Sequence, residues 1–272
     1  MKMLTTSQAG SVTAKIFVAA CLGAIAFFCN QIYLRVQDDR KHEKELKALE
    51  ELQKIKRDTV AEMTNGFRPG TSAKAIEKVR DLIDKKNTQA GTDVVAMKAL
   101  SEFLAELQQQ SAPYAELVKQ MGRDNPANML TVKEKADLTK RRVFAREFVK
   151  QNTVLISFLD SAESRFRDKL QKFGASGEIT ERALGGFQEG FGKSLPMKLR
   201  IRIADVSMGK AIISMCDLLE AEWGEWEVRD DHLVFANESA GARYNDFRKV
   251  LTNAAQEQAA AQREVAELLR KE

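Results

Sequence analysis

Along most of this chain apolar residues recur at the three- and four-residue spacing of helices, and only one short stretch alternates instead. The longest periodic run lies over 131–173, where Leu138, Val143, Phe144, Phe148, Val149, Leu155, Phe158, Leu159 and Phe166 keep helical period. Thr131 and Glu134 have the separation of a capping box, so one uninterrupted helix is expected there. Upstream the spacing predicts helices over 73–86, 93–110 and 112–121; Thr71-Ser72 cap the first, and Pro113 sits in the first turn of the third. Downstream it predicts helices over 197–222 and 239–270. Within the glycine-containing stretch 174–196, Glu178 to Leu184 reads as polar and helical, and Gly186 to Ser194 as a flexible loop between helices, docked onto the bundle by Phe187 and Phe191. The exception is 223–237, where Glu225-Trp226-Glu227-Val228 alternates, Arg229-Asp230-Asp231 is turn-like and His232-Leu233-Val234-Phe235 supplies a second strand. The expected fold is all-α, with an N-terminal transmembrane helix, a helical stalk and a helical bundle carrying one small inserted β-hairpin.

The N-terminal pattern is different in kind. Residues Ile16 to Leu34 carry no charge, and at about 1.5 Å per residue they cover roughly the hydrocarbon thickness of a bilayer. Lys15 and Arg35 flank the run, with Tyr33 at interfacial depth, and this predicts a single-pass anchor in contact with the lipid bilayer. Asn30-Gln31 shorten the apolar run and keep a removable signal peptide as the competing reading. Val18-Ala19-Ala20-Cys21 has the form of a lipobox but follows Lys15 too closely, and a cut at Ala24-Ile25-Ala26 would leave Phe27-Phe28-Cys29 exposed. After the anchor, Leu46, Leu49, Leu52, Ile55 and Val60 form a narrow stripe amid dense charge. It reads equally as a coiled-coil stalk or as a surface helix of the following domain. That stalk and the Ala19/Gly23 face of the membrane helix are the two surfaces through which a homodimer would form, although Gly and Ala are common in membrane helices without pairing. The chain thus divides into a tail (1–15), an anchor (16–34), a stalk and linker ending at Asn65 to Gly70 (35–70) and a bundle (71–272). A short tail before one apolar helix is the arrangement of a signal anchor with an extracytoplasmic bulk. The cations at Arg35, Arg40, Lys41, Lys44 and Lys47 argue for the cytoplasmic side.

Composition narrows the chemistry. Of 272 residues, 43 are Lys or Arg and 39 Asp or Glu, a net charge of +4. That balance disfavours nucleic acid as a partner. Two His and three Cys leave little for a zinc site, an iron–sulfur cluster or a histidine relay, and no cofactor is expected. Gly192-Lys193-Ser194 resembles the end of a phosphate-binding loop, but Phe187 occupies the position that requires glycine. Asp230-Asp231-His232 reads as a solvated turn, because adjacent residues of a tight turn point in different directions. Cys216, in an apolar run, reads as a small buried hydrophobe.

Charge distribution says more. From Thr131 to Phe173 there are 11 Lys/Arg against 6 Asp/Glu, a net of +5; between Lys193 and Lys210 five stand against one, +4. From Asp217 to Asp246 nine acids face two arginines, −7. The plain interpretation joins neighbouring helices within one bundle. The sharper one assigns Lys140, Arg141, Arg142, Lys198, Arg200 and Arg202 to an anionic surface, and Trp223, Trp226, Asp230 and Asp231 to a protein partner.

In the last third, a helix, Gly224, a hairpin containing Phe235 and then Tyr244-Asn245 opening a terminal helix resemble the corresponding part of an uncharacterised family of bacterial envelope lipoproteins with helical domains. The resemblance implies an envelope location and a helical fold, and no catalytic residue; the chain departs from that family in lacking a lipobox at workable spacing. The functional expectation is a non-enzymatic tether, scaffold or partner-binding module. Two alternatives remain, a helical sensor enclosing a small molecule and an envelope hydrolase with carboxylates brought together from distant helices.

Overall fold

The computed structural model describes residues 93–271 together with Lys54, which is helical and exposed. The expected tail, membrane anchor and helix over 73–86 lie outside the described residues, as does the stalk apart from Lys54. Among the described residues, no helix is long and apolar enough to cross a membrane.

Among the described residues, six α-helices and one hairpin follow in order: α1 (Asp93–Asp124), α2 (Lys135–Asp160), α3 (Ala162–Lys172), α4 (Gly177–Gly190), α5 (Leu195–Ala221), β1 (Trp226–Arg229), β2 (His232–Phe235) and α6 (Glu238–Lys271). The helical content and the single antiparallel strand pair agree with a mostly-α fold carrying one inserted hairpin. Helix α5 is the central strut. It runs antiparallel to α2, with Arg142 meeting Asp217 near one end and Arg202 meeting Asn152 nearer the other. It also runs antiparallel to α6, where Arg200 pairs with Glu257 and Glu264. Gly209 sets the α2–α5 distance, since a Cβ there would come within 2.6 Å of Val149 Cγ2 and 3.3 Å of the Ala145 carbonyl.

The core has two main ends. At one, Phe103 of α1 is ringed by Phe158, Phe166, Phe187 and Phe191, with centroid separations of 5.3 to 6.0 Å and mostly edge-on or tilted geometry. At the other, Met215, Cys216 and Leu219 of α5 pack with Leu138, Ala240 and Tyr244, and the hairpin closes the end through Trp226, Leu233 and Phe235.

Several elements depart from what periodicity predicts, each for a local reason. The helices expected over 93–110 and 112–121 are one, α1, with Pro113 inside it. The proline is exposed, and Ser111 Oγ donates to the Leu107 carbonyl at 2.6 Å one turn back. The run over 131–173 is broken at Ser161, whose φ of −98° and ψ of 9° separate α2 from α3. Thr153, Ser157 and Ser161 each return a hydroxyl to the carbonyl four residues back, and such back-bonding bends helices. The capping box is Glu134 with Asp137, not Thr131 with Glu134; Thr131 closes a 3₁₀ turn instead. Helix α3 ends at Gly174, whose φ of +76° lets the Ala175 amide reach back to the Leu170 carbonyl at 3.0 Å. Helix α4 covers the stretch expected to be helical over 178–184 and runs on to Gly190 into the expected loop, capped by the Ser176 side chain on the Ile179 amide. Glycines at 177, 185, 186 and 190 lower its propensity, but burial of Ala183, Leu184 and Phe187 against α1 and α3 overrides that cost.

Candidate functional site

Two places concentrate polar chemistry: a layer inside the bundle and the hairpin at its end.

The inner layer is built on α5, where Lys198, Arg202 and Asp205 recur at spacings of four and three along the face that also carries Ile201 and Met208. Arg202 is 1% and Asp205 0% exposed. One Asp205 oxygen accepts from the Tyr114 hydroxyl of α1 at 2.8 Å and lies 3.0 Å from the Arg202 guanidinium. The other accepts from the Gln258 amide of α6. Arg202 in turn donates to Asn152 Oδ1 of α2 at 3.0 Å and stacks over the Tyr114 ring at 4.0 Å. Four helices thus meet at one carboxylate–guanidinium pair. Burial holds the Asp205 carboxyl above its ordinary range despite the opposing pull of Arg202, Tyr114 and Gln258. It also pushes the Tyr114 phenol well above 10, although Arg202 opposes the shift. One turn along α5, the Lys198 ammonium is fully buried and lies 3.7 Å from the centre of the Phe191 ring.

The hairpin is anchored from beneath. Trp226 Nε1 donates to the Leu219 carbonyl at 2.9 Å, and its ring meets Trp223 edge-on at 5.5 Å. Lys135 lies 5.9 Å from the Trp223 ring centre, and Phe235 packs on Tyr244 at 5.5 Å. Asp230 and Asp231 occupy the turn at φ +50° and +59°, the left-handed conformation that a two-residue type I′ turn requires. Both are exposed, and the His232 Nδ1 donates to the Asp230 carbonyl at 2.6 Å. Val228 and Val234 remain 45% and 39% exposed.

No family model, curated protein or solved structure matches this chain. Its reading therefore rests on its own geometry.

The expected basic surface does not assemble. Lys198 and Arg202 are buried inside the bundle, which removes them from any contact with an anionic surface. Arg141 reaches back to the Pro126 and Asn128 carbonyls and to Thr131 Oγ1 at 2.7 Å, bracing the turn before α2. Arg142 bridges Asp217, at 2.6 Å, and Glu220 of α5, and the Glu220 hydrogen bond raises its pKa. Arg200 is held by Glu257 and Glu264. Lys140 is the most exposed of the six, with Asp137 at 3.8 Å. The charge polarity of the sequence thus joins neighbouring helices at Arg142, while Arg200 pairs with acids of α6 beyond the acidic segment.

Gly192-Lys193-Ser194 forms a 3₁₀ turn between two helices, and Lys193 pairs with Glu189 at 2.5 Å. A phosphate-binding loop needs a preceding strand, which α4 replaces. Cys216 is buried, and burial pushes its thiol up to about 11 even with Arg142 and Arg141 nearby. Among the described residues, no group of three or more His, Cys, Asp or Glu side chains could hold a metal ion.

Tyr114, Asn152, Asp205 and Gln258 are absent from the sequence-level candidates. The signal that would have found them is on α5, where Lys198, Arg202 and Asp205 share the spacing of an apolar face. Charges on such a face require partners from neighbouring helices.

Proposed function

We propose that the protein is a single-pass, membrane-anchored, non-enzymatic module of the bacterial envelope, whose helical bundle presents its hairpin to a protein partner. The observation that carries this reading is the hairpin's division of labour. Trp226, Leu233 and Phe235 on one face fix it to the bundle, while Val234 on the opposite face, Val228 beside the turn, and Asp230 and Asp231 in the turn are left to solvent. A rigidly supported element that exposes apolar side chains is the form of a recognition surface. Anchoring is supported by the uncharged run 16–34, and envelope location by the lipoprotein resemblance. The inner polar layer acts as the bundle's register pin, since its hydrogen bonds run between its own helices.

A topology reporter fused after Glu272, combined with photo-crosslinkers at Asp231 and at the exposed Glu116 of α1, tests the proposal in intact cells. The expected result is an extracytoplasmic reporter and a defined crosslinked product at position 231 only. A cytoplasmic reporter overturns the envelope assignment; no product, or the same product from both positions, overturns the hairpin's role.

A further inference from the structure

Which chemistry the hairpin recognises follows from its backbone. The strands pair Trp226 with Phe235, Glu227 with Val234, Val228 with Leu233 and Arg229 with His232. The Ala236 amide donates to the Glu225 carbonyl at 2.8 Å, so 225 and 236 face each other through a hydrogen bond. Antiparallel ladders alternate bonded and non-bonded pairs, which makes 227 with 234 a bonded pair. The amides and carbonyls of Trp226 and Val228 then point away from β2. The β2 strand packs toward α6, whereas Glu225, Glu227, Val228 and Arg229 on the β1 side are all exposed. Strand β1 therefore presents an unpaired edge.

Charge selects what can pair with that edge. Between Glu222 and Asp231 five acids stand against Arg229 alone, and the Arg229 guanidinium is engaged by Glu227. Two copies of this chain joined edge to edge would bring Glu225 and Glu227 against the same acids, a repulsion that disfavours self-pairing. A cationic strand meets the opposite field. We infer that β1 accepts an extended segment of a partner protein as a third strand, with lysine or arginine alternating with apolar residues. The basic side chains lie over Glu225 and Glu227, and the apolar ones over Val228. This inference rests on the partner-binding reading above and specifies its mode.

The test uses the full-length protein in detergent and three capped peptides: valine alternating with lysine, valine alternating with glutamate, and the lysine peptide N-methylated at alternate amides. Binding is read from amide chemical shifts of β1. The lysine peptide is expected to bind through the Val228 amide, with the glutamate and N-methylated peptides at least about ten-fold weaker. Val228→Pro removes one outward amide at an edge position that tolerates proline, and should abolish the interaction while leaving the helical spectrum unchanged. Glu225→Lys with Glu227→Lys should reverse the preference toward the glutamate peptide. Equal binding of the lysine and glutamate peptides, no binding, or unchanged binding in Val228→Pro overturns strand addition. A partner crosslink at Asp231 that survives Val228→Pro overturns the mode while leaving partner binding standing, whereas its absence in the parent chain overturns the underlying reading.

Discussion

Asp205 and the Asp230-Asp231 pair carry the same functional group in opposite surroundings. Asp205 sits at 0% exposure with both carboxylate oxygens engaged by three other side chains. The hairpin acids stand in solvent on a turn, and the bundle makes no use of their charge. The contrast shows that an acid's role is set by what surrounds it. A buried carboxylate must be paired or it costs several kcal/mol, whereas an exposed one shapes the field met by an approaching molecule.

The largest expected effect comes from breaking the inner pair. Arg202→Ala leaves Asp205 buried without its cation and should destabilise the fold by about 3–5 kcal/mol in urea unfolding. Replacing both, as Arg202→Met with Asp205→Leu, should recover most of that loss, because the uncompensated charge goes with the pair. If the double variant is as unstable as the single one, the layer contributes through its hydrogen bonds to Tyr114, Asn152 and Gln258 more than through charge balance.

The second test is the pH slope. Burial raises the Asp205 pKa above its ordinary 3.8, so the folded state holds this proton more tightly than the unfolded chain. Stability relative to Asp205→Asn should therefore be greatest below 3.8 and fall as pH rises through the folded pKa. Glu106 provides the opposite sign. Its partial burial alone would raise its pKa, but Lys169 and Arg165 hold it below 4.5. Stability relative to Glu106→Gln should be present above 4.5 and be lost as pH falls through the folded value. Parallel slopes for the two variants would contradict this account of their environments.

Smaller effects belong to the hairpin. Trp226→Phe retains an aromatic ring but deletes the hydrogen bond to Leu219, and should cost about 0.5–1.5 kcal/mol. The same substitution should loosen the hairpin more than the bundle, visible as faster amide exchange confined to 226–235. Least of all, Asp230→Asn with Asp231→Gly keeps the left-handed turn and removes two exposed charges. Stability should stay within about 0.5 kcal/mol, while association with a cationic partner weakens. A large stability loss there would show that the turn charges serve the fold.

Much of this was legible from residue order. The hairpin reads directly, because alternation around Trp226 and Leu233 and the Asp230-Asp231 turn are local signals. Burial of Cys216 was expected from its apolar run, and docking of Phe187 and Phe191 on the bundle from their spacing of four; all three are buried. The break at Ser161 was hidden because apolar period continues across it. The second half of α4 was hidden because its glycines argue locally for a loop, and only the aromatic cluster around Phe103 outweighs them. Of the inner layer, only the α5 charges left a trace.

By itself, the sequence determined the helical class, the place of the hairpin and its turn, and the polarity of charge along the chain, since each depends on neighbours within a few residues. Tertiary structure decided which charges are surface and which are core. Lys198, Arg200 and Arg202 alternate along one basic stretch, yet Arg200 faces Glu257 and Glu264 on α6 while the other two turn inward. Helical geometry sends residues two apart to different sides, and only the packing of α1, α2 and α6 around α5 makes one side interior and supplies Tyr114, Asn152 and Gln258 to meet it.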